Sequence, residues 1–226
     1  MSLIRPFAAL RPAPGRAGEV VAPPYDVVSA AEARAQVAGR PHSFLHVSRP
    51  EIDLPADTDP YADVVYDQGA AALRALVAAG VLRRDTRPAY YAYRLAVGDH
   101  VQTGVAFTAS VDAYESGRIK RHEFTRPDKE NDRVRHIEAL DAQSGPVLLA
   151  HRAGGPGDLI LAEVTRRDPA YDVKTSHDGV RHTLWPISDE ALVQALTAAF
   201  EAQDALYIAD GHHRSAAAAR VAAARG

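Results

Sequence analysis

Three stretches of the chain concentrate side chains that bind or move charge. The first is Tyr207-Ile208-Ala209-Asp210-Gly211-His212-His213-Arg214-Ser215. It reads as a buried strand, a glycine turn and a helix start. A helix N-terminus offers unpaired backbone N–H groups and a partial positive charge. Gly211 lets backbone approach an anion closely. Arg214 presents a planar fork of donors, and His212 and His213 add donors that strengthen on protonation. This pattern suits a phosphate group, such as that of a nucleotide. It lacks the spaced glycines and the Lys-Ser/Thr pair of a Walker-type loop. Two plainer readings stand beside it. One is an ordinary turn capped by Asp210. The other is zinc, for which adjacent helical histidines point about 100° apart and share one metal poorly.

The second stretch runs from Gly117 to Arg133 and interleaves basic and acidic side chains. Lys120 and Lys129 stand out because only three lysines occur among 26 basic residues. Glu123 suits a base or an amine ligand. Lys129 and Arg133, one helical turn apart, suit a shared anion. Lys120 and His122 extend the same candidate substrate surface. A solvated helix start with surface ion pairs is the plainer reading. The third stretch, Pro23-Pro24-Tyr25-Asp26, fixes the backbone ahead of a carboxylate. It suits a rigidly held acid or base, and equally a plain turn.

The elements that must position these residues can be read from capping and periodicity. Residues 5–24 form an extended arm. Ser29-Ala30-Ala31-Glu32 is a capping box that opens a helix from about 30 to 38, stopped by Gly39. Phe44–Val47 reads as a short strand. Asp59-Pro60 opens a helix with Val64, Val65, Leu73, Leu76 and Val77 on its apolar face, ended by Gly80. Residues 89–97 and 100–111 flank Gly98-Asp99 as a hairpin. Residues 127–143 are helical, with Val134, Ile137 and Leu140 inward, Asp141 outward and Gly145-Pro146 as the stop. Val147–Ala150 is a buried strand and 157–167 a helix. Tyr171–Ser176 and Val180–Trp185 form a second hairpin. Ser188 with Asp189 and Glu190 opens a helix to about 202. Ala205–Ala209 is a strand, followed by a helix from about 213. The fold expected is α+β, a mixed sheet with hairpins and packed helices. Residues 1–226 read as one domain.

Composition excludes several classes. The 226 residues are 46% hydrophobic and 24% charged, ordinary globular usage. A net charge of −3 and 7% aromatic residues give no general affinity for nucleic acid. Zero cysteine rules out disulfides, thiol nucleophiles and thiolate zinc, and fits a cytoplasmic location. No window resembles a signal peptide or membrane span.

Six ordered stretches together resemble a bacterial and archaeal family catalogued as domain of unknown function 1015. They are Ala22–Val27, Ser43–Val47, Arg49–Leu54, Ile119–Glu123, Thr125–Glu130 and Ala209–Arg214. Members are usually longer, so the resemblance implies the N-terminal part of a longer protein or a truncated relative. Tyrosine is common after the last arginine of the motif, where this chain has Ser215.

The turn Asp210–Arg214 also looks like the nucleotide turn of the ParB and sulfiredoxin superfamily, which includes kinases of free serine. That analogy implies phosphoryl transfer from ADP or ATP, with Mg2+, to a small hydroxyl substrate such as L-serine. Asp210, Gly211, His212, His213 and Arg214 would hold the nucleotide. Lys120, His122, Lys129 and Arg133 would hold substrate, and Glu123 or Asp26 would be the base. A nucleotide-binding switch without turnover is the second reading, and a metal-dependent or non-enzymatic protein the third.

Overall fold

A computed structural model describes residues 2–175 and 178–226. In chain order the elements begin with β1 (Ile4–Arg5), β2 (Leu10–Pro12), α1 (Ala17–Val20), α2 (Ala30–Val37), α3 (Leu45–Ser48), a 3-10 turn (Pro50–Asp53) and α4 (Asp63–Ala78). Next come β3 (Leu82–Arg84), β4 (Tyr90–Val97), β5 (His100–Ala106), β6 (Thr108–Ala109), α5 (Val111–Glu115), β7 (Ile119–Lys120) and α6 (Pro127–Leu140). The remainder are β8 (Leu148–Ala150), α7 (Pro156–Val164), β9 (Tyr171–Lys174), β10 (Arg181–Ile187), α8 (Glu190–Glu201), β11 (Leu206–Asp210) and α9 (His212–Arg225). The fold is mixed α+β. The chain divides into two units, each drawn from three stretches.

Met1–Gly18, Arg83–Lys120 and Ala150–Tyr207 form the first unit. Its centre is a four-stranded antiparallel sheet in the order β5-β4-β10-β9. Val97 pairs with His100 across Gly98, whose φ of 55° suits the tight hairpin. Tyr90, Ala92, Trp185 and Ile187 are cross-strand neighbours on one face and are all buried. Two shorter ladders join β1 to β6 antiparallel and β7 to β11 parallel. The expected single mixed sheet is therefore several separate ladders. The helix expected from Ser188 forms as α8, but its cap is the next residue: Asp189 accepts from the Leu192 N–H at 3.0 Å. Of the second hairpin, Ser176 and His177 lie outside the described residues; β9 and β10 pair as expected.

Glu19–Leu82, Arg121–Leu149 and Ile208–Gly226 form the second unit, and its main elements are helices. The capping box of α2 is fully made: Glu32 N–H donates to Ser29 Oγ, and Glu32 accepts from the Ser29 N–H at 2.8 Å. Ile137 of α6 packs with Ala217 and Val221 of α9, flanked by Val134. The other face of α6 carries charge toward α4: Tyr66 donates to Asp132 at 2.8 Å, and Arg135 lies 4.1 Å from the Tyr66 ring centre. Gly69 of α4 marks a close approach between elements. A Cβ there would come within 3.2 Å of both the Val47 carbonyl oxygen and Pro50 Cγ.

Four local expectations are corrected. Phe44–Val47 is helical in large part, not a strand: the Val47 and Ser48 N–H groups both bond the Phe44 carbonyl at 3.0 Å. Leu45 and Val47 are both fully buried, and a four-residue apolar run has no period that separates helix from strand. Asp59 makes a local turn with the Tyr61 N–H, so α4 starts later, at Asp63. Its buried face is Val65, Tyr66, Gly69, Ala70 and Leu76, while Val64 and Val77 are exposed. Helix α6 ends at Leu140 because Asp141 adopts a left-handed conformation, φ 47°, ahead of the expected Gly-Pro stop. The strand at Leu148–Ala150 forms, but Leu148 is 47% exposed rather than buried.

The crowding at Gly69 yields a prediction. Substituting Gly69→Val pushes a branched side chain into rigid backbone and should cost about 1–3 kcal/mol. A control at exposed Ala71 on the same helix should stay within about 1 kcal/mol. Urea midpoints measure both; equal values for the two variants would refute the close packing.

Candidate functional site

Residues from all three stretches of the second unit meet around the first turn of α9. Gly211 is its N-cap, at φ 96° and ψ 35°, with no side-chain cap. Asp210 is not the cap. Its carboxylate instead accepts from Arg214 Nη2 at 2.6 Å. The first N–H groups of α9 therefore lack the carboxylate or hydroxyl that usually satisfies them.

Arg214 is the hub. Nη1 donates to the Pro146 carbonyl, Nη2 donates to Asp210, and Asp26 Oδ2 lies 4.0 Å from Nη2. Only 13% of its side chain is exposed. Two glycines make room for it. A Cβ on Gly145 would lie 3.1 Å from Arg214 Cδ, and one on Gly211 would lie 3.2 Å from Arg214 Cζ and Nε. Gly211 thus leaves space for this guanidinium, a reason for glycine that sequence alone does not carry.

The two histidines face a different segment. His212 is buried, and its Nε2 accepts from the His122 N–H at 3.5 Å. Its Nδ1 lies 3.3 Å from Glu123 Oε2. Together these contacts select the tautomer with the proton on Nδ1. Burial, and then the neighbouring His122, hold the ring below the usual imidazole pKa, so it is neutral at pH 7. The His122 and His212 rings meet edge to face at 4.5 Å. His213 Nε2 accepts from the Arg126 N–H at 3.0 Å. Both rings thus serve as struts for the loop 121–126, whose Glu123 is exposed.

The remaining candidates divide. Arg133 lies 4.2 Å from the Tyr25 ring centre and pairs with Asp132 at 2.7 Å. Lys129 is exposed on the first turn of α6, whereas the Arg133 side chain is mostly buried. Lys120 belongs to the first unit, where it pairs with Tyr207 in the β7–β11 ladder. Among the described residues no three His, Asp or Glu side chains gather in a metal-binding group. None of the described helices is long and apolar enough to cross a membrane.

His136 is not among the candidates that the sequence singles out. It is 2% exposed and lines a small cavity with Tyr25, Arg133, Ser144 and Arg214. Burial, and then Arg133, push its pKa down to about 4. Its place on α6, one turn beyond Arg133 and flanked by Ile137, was the available signal. A larger cavity, about 290 Å3, lies in the first unit between Ser2, Arg5 and residues 108–112 and holds none of the candidate residues.

Residues 4–226 match the family model described as "Protein of unknown function (DUF1015)". No curated protein and no solved structure matches the chain.

Two predictions follow from this geometry. Gly211→Ala puts a side chain at a left-handed position against Arg214 and Val147 Cγ2, the latter at 3.3 Å. It should cost at least about 1–2 kcal/mol in urea unfolding; an unchanged midpoint would refute the crowded seat. The second concerns pH. The folded His136 ring titrates near 4, below the unfolded value near 6.5. Unfolding therefore takes up a proton between these values. His136 should cost the fold nothing extra above about pH 6.5 and about 3 kcal/mol in all as pH falls through 4. Urea midpoints at pH 7.5 and 4.5 should differ less in His136→Gln than in the wild type.

Proposed function

The chain belongs to this family, and from the geometry of its signature residues we propose that it binds ADP or ATP with Mg2+ and transfers a phosphoryl group to a small hydroxyl substrate such as free L-serine. The observation that carries the reading is the uncapped start of α9 at left-handed Gly211. Such a turn attracts a phosphate through backbone donors and the helix dipole. The loop 121–126, pinned on His212 and His213, sets a carboxylate beside it.

The nucleotide, when bound, supplies the phosphoryl group. The chain's own residues then have distinct tasks. The Gly211, His212 and His213 N–H groups hold phosphate oxygens. Arg214 fixes the shape of the turn through Asp210 and Pro146. Mg2+ needs few protein ligands beside phosphate oxygens, often one or two carboxylates. Asp26 and Asp210, both on Arg214, are the carboxylates suited to it. Glu123 is the preferred base. Its carboxylate is oriented by the His212 Nδ1–H and more than half exposed, so a substrate hydroxyl can reach it. The hydroxyl proton passes to Glu123 as the oxygen–phosphorus bond forms and the bond to the nucleotide's leaving oxygen breaks. Asp26 is the alternative base. Lys129 offers further positive charge for anionic groups.

Calorimetric titration with Mg-ADP and Mg-ATP tests the binding, and a coupled assay with L-serine tests the transfer. Arg214→Ala should weaken nucleotide binding about tenfold or more by releasing the turn. Glu123→Gln should leave binding within about twofold and lower turnover on the order of a hundredfold. Nucleotide affinity absent from the wild type would sink the reading. Binding with no transfer, accompanied by nucleotide-dependent association on size exclusion, would favour the switch instead. Turnover unchanged in Glu123→Gln and lost in Asp26→Asn would move the base to Asp26.

A further inference from the structure

The four-stranded sheet of the first unit has two edges, and they differ. β9 is four residues long and carries exposed Asp172 and Lys174. Short length and charge are common means by which an edge avoids pairing with another chain. β5 has neither. It runs seven residues without Lys, Arg, Asp, Glu or Pro, and no bulge breaks its register with β4. No backbone hydrogen bond joins its outer side to any described residue.

The tight hairpin tells which groups lie on that outer side. Val97 and His100 close the two-residue loop as a hydrogen-bonded pair, and bonded and unbonded pairs alternate from there. Val101, Thr103 and Val105 fall at the positions unbonded toward β4, so their N–H and C=O groups point to the open edge. Val101 is also 57% exposed. Gly104 adds a second observation. It lies inside the strand and outside the left-handed region, and a Cβ built on it meets nothing within 4 Å. No described part of the chain requires a glycine there. A glycine inside a regular strand often marks a place where another backbone approaches closely.

We propose that β5 is a self-association edge, which takes β5 of a second copy of this chain antiparallel across a two-fold axis at Thr103. Donors and acceptors alternate along the edge, so the same edge turned about the two-fold is its own complement. Thr103 then faces Thr103, and Val101 faces Val105, each pair exchanging two N–H···O bonds. Gln102 faces Gly104 in the closer, unbonded pairs, about 4.5 Å between Cα atoms, where glycine leaves the longer side chain room. Charge complementarity favours a second copy over a charged peptide: the strand is uncharged, and this register sets no like charges opposite one another. Exposed Val101 is covered by an apolar side chain. The two sheets become one continuous sheet, and neither nucleotide nor substrate takes part.

The chain lacks cysteine, so one introduced thiol reports the register. Thr103→Cys should crosslink to its own copy under mild oxidation, because facing residues lie about 5.5 Å apart between Cα atoms, within disulfide range. Val101→Cys lies four residues along from its equivalent, roughly 13 Å, and should crosslink at least about tenfold more slowly. Sedimentation of the whole chain should show a monomer–dimer equilibrium. Val101→Pro removes an outward N–H and spares the β4 ladder, and should weaken the dimer about tenfold or more. Leu95→Lys alters the exposed face of β4 beside the edge and should leave the dimer nearly unchanged. Circular dichroism checks that each variant is folded. A wild type that stays monomeric, crosslinking as fast at 101 as at 103, or a dimer lost in Leu95→Lys and kept in Val101→Pro would overturn the paired edge.

Discussion

The second unit depends on where one guanidinium sits. Arg214 lies on the first turn of α9, and its bonds reach the other two stretches of chain that build the unit: Pro146 after α6, and Asp26 after the Pro-Pro segment. Asp210, just before its own helix, closes the set. A charge that is mostly buried must be paired and hydrogen-bonded, or the fold cannot keep it. That requirement fixes the neighbourhood. Gly145 and Gly211 must lack side chains because the arginine fills the space a Cβ would use. The left-handed turn at Gly211 follows the same demand, and it leaves α9 without a side-chain cap.

Geometry on the helix then decides which groups remain for a ligand. Successive residues point about 100° apart, so His212, His213 and Arg214 each face a different neighbour. His212 meets His122 and Glu123, His213 meets the Arg126 backbone, and Arg214 meets Asp210 and Pro146. Three side chains that look like a ligand-binding triplet in sequence are spent on holding segments together. The backbone N–H groups of the same turn lack a side-chain cap.

How much of this is legible in the sequence varies with the physical cause. Local signals are legible where a side chain acts on its own backbone: the Ser29 capping box and the Gly98 hairpin both form. The strand, glycine and helix around Gly211 were legible for the same reason. Signals that depend on distant partners were not. The helical turn at Leu45–Ser48 is set by burial against Ala33 and Ile52, which no four-residue pattern contains. Asp210 had the makings of a cap, yet an arginine four residues on claims it. His136 carried no motif at all. Its importance comes from the cavity it lines, and cavities are made by packing between segments far apart in sequence.

The same economy bears on why α6 carries so many charges on a half-buried face. Asp132 accepts from Tyr66 and from Arg133, and Arg133 lies over the Tyr25 ring. Apolar residues of similar volume would hold α6 against α4 at least as well, since partly buried ion pairs add little net stability after desolvation. What apolar residues would not do is aim donors. Asp132 anchors two N–H groups of Arg133, and the stacked Tyr25 ring fixes the plane of the fork. The result is a guanidinium whose direction is set by its neighbours. Arg133 and the Arg214 hub both line one small space of this unit, with Tyr25, His136 and Ser144.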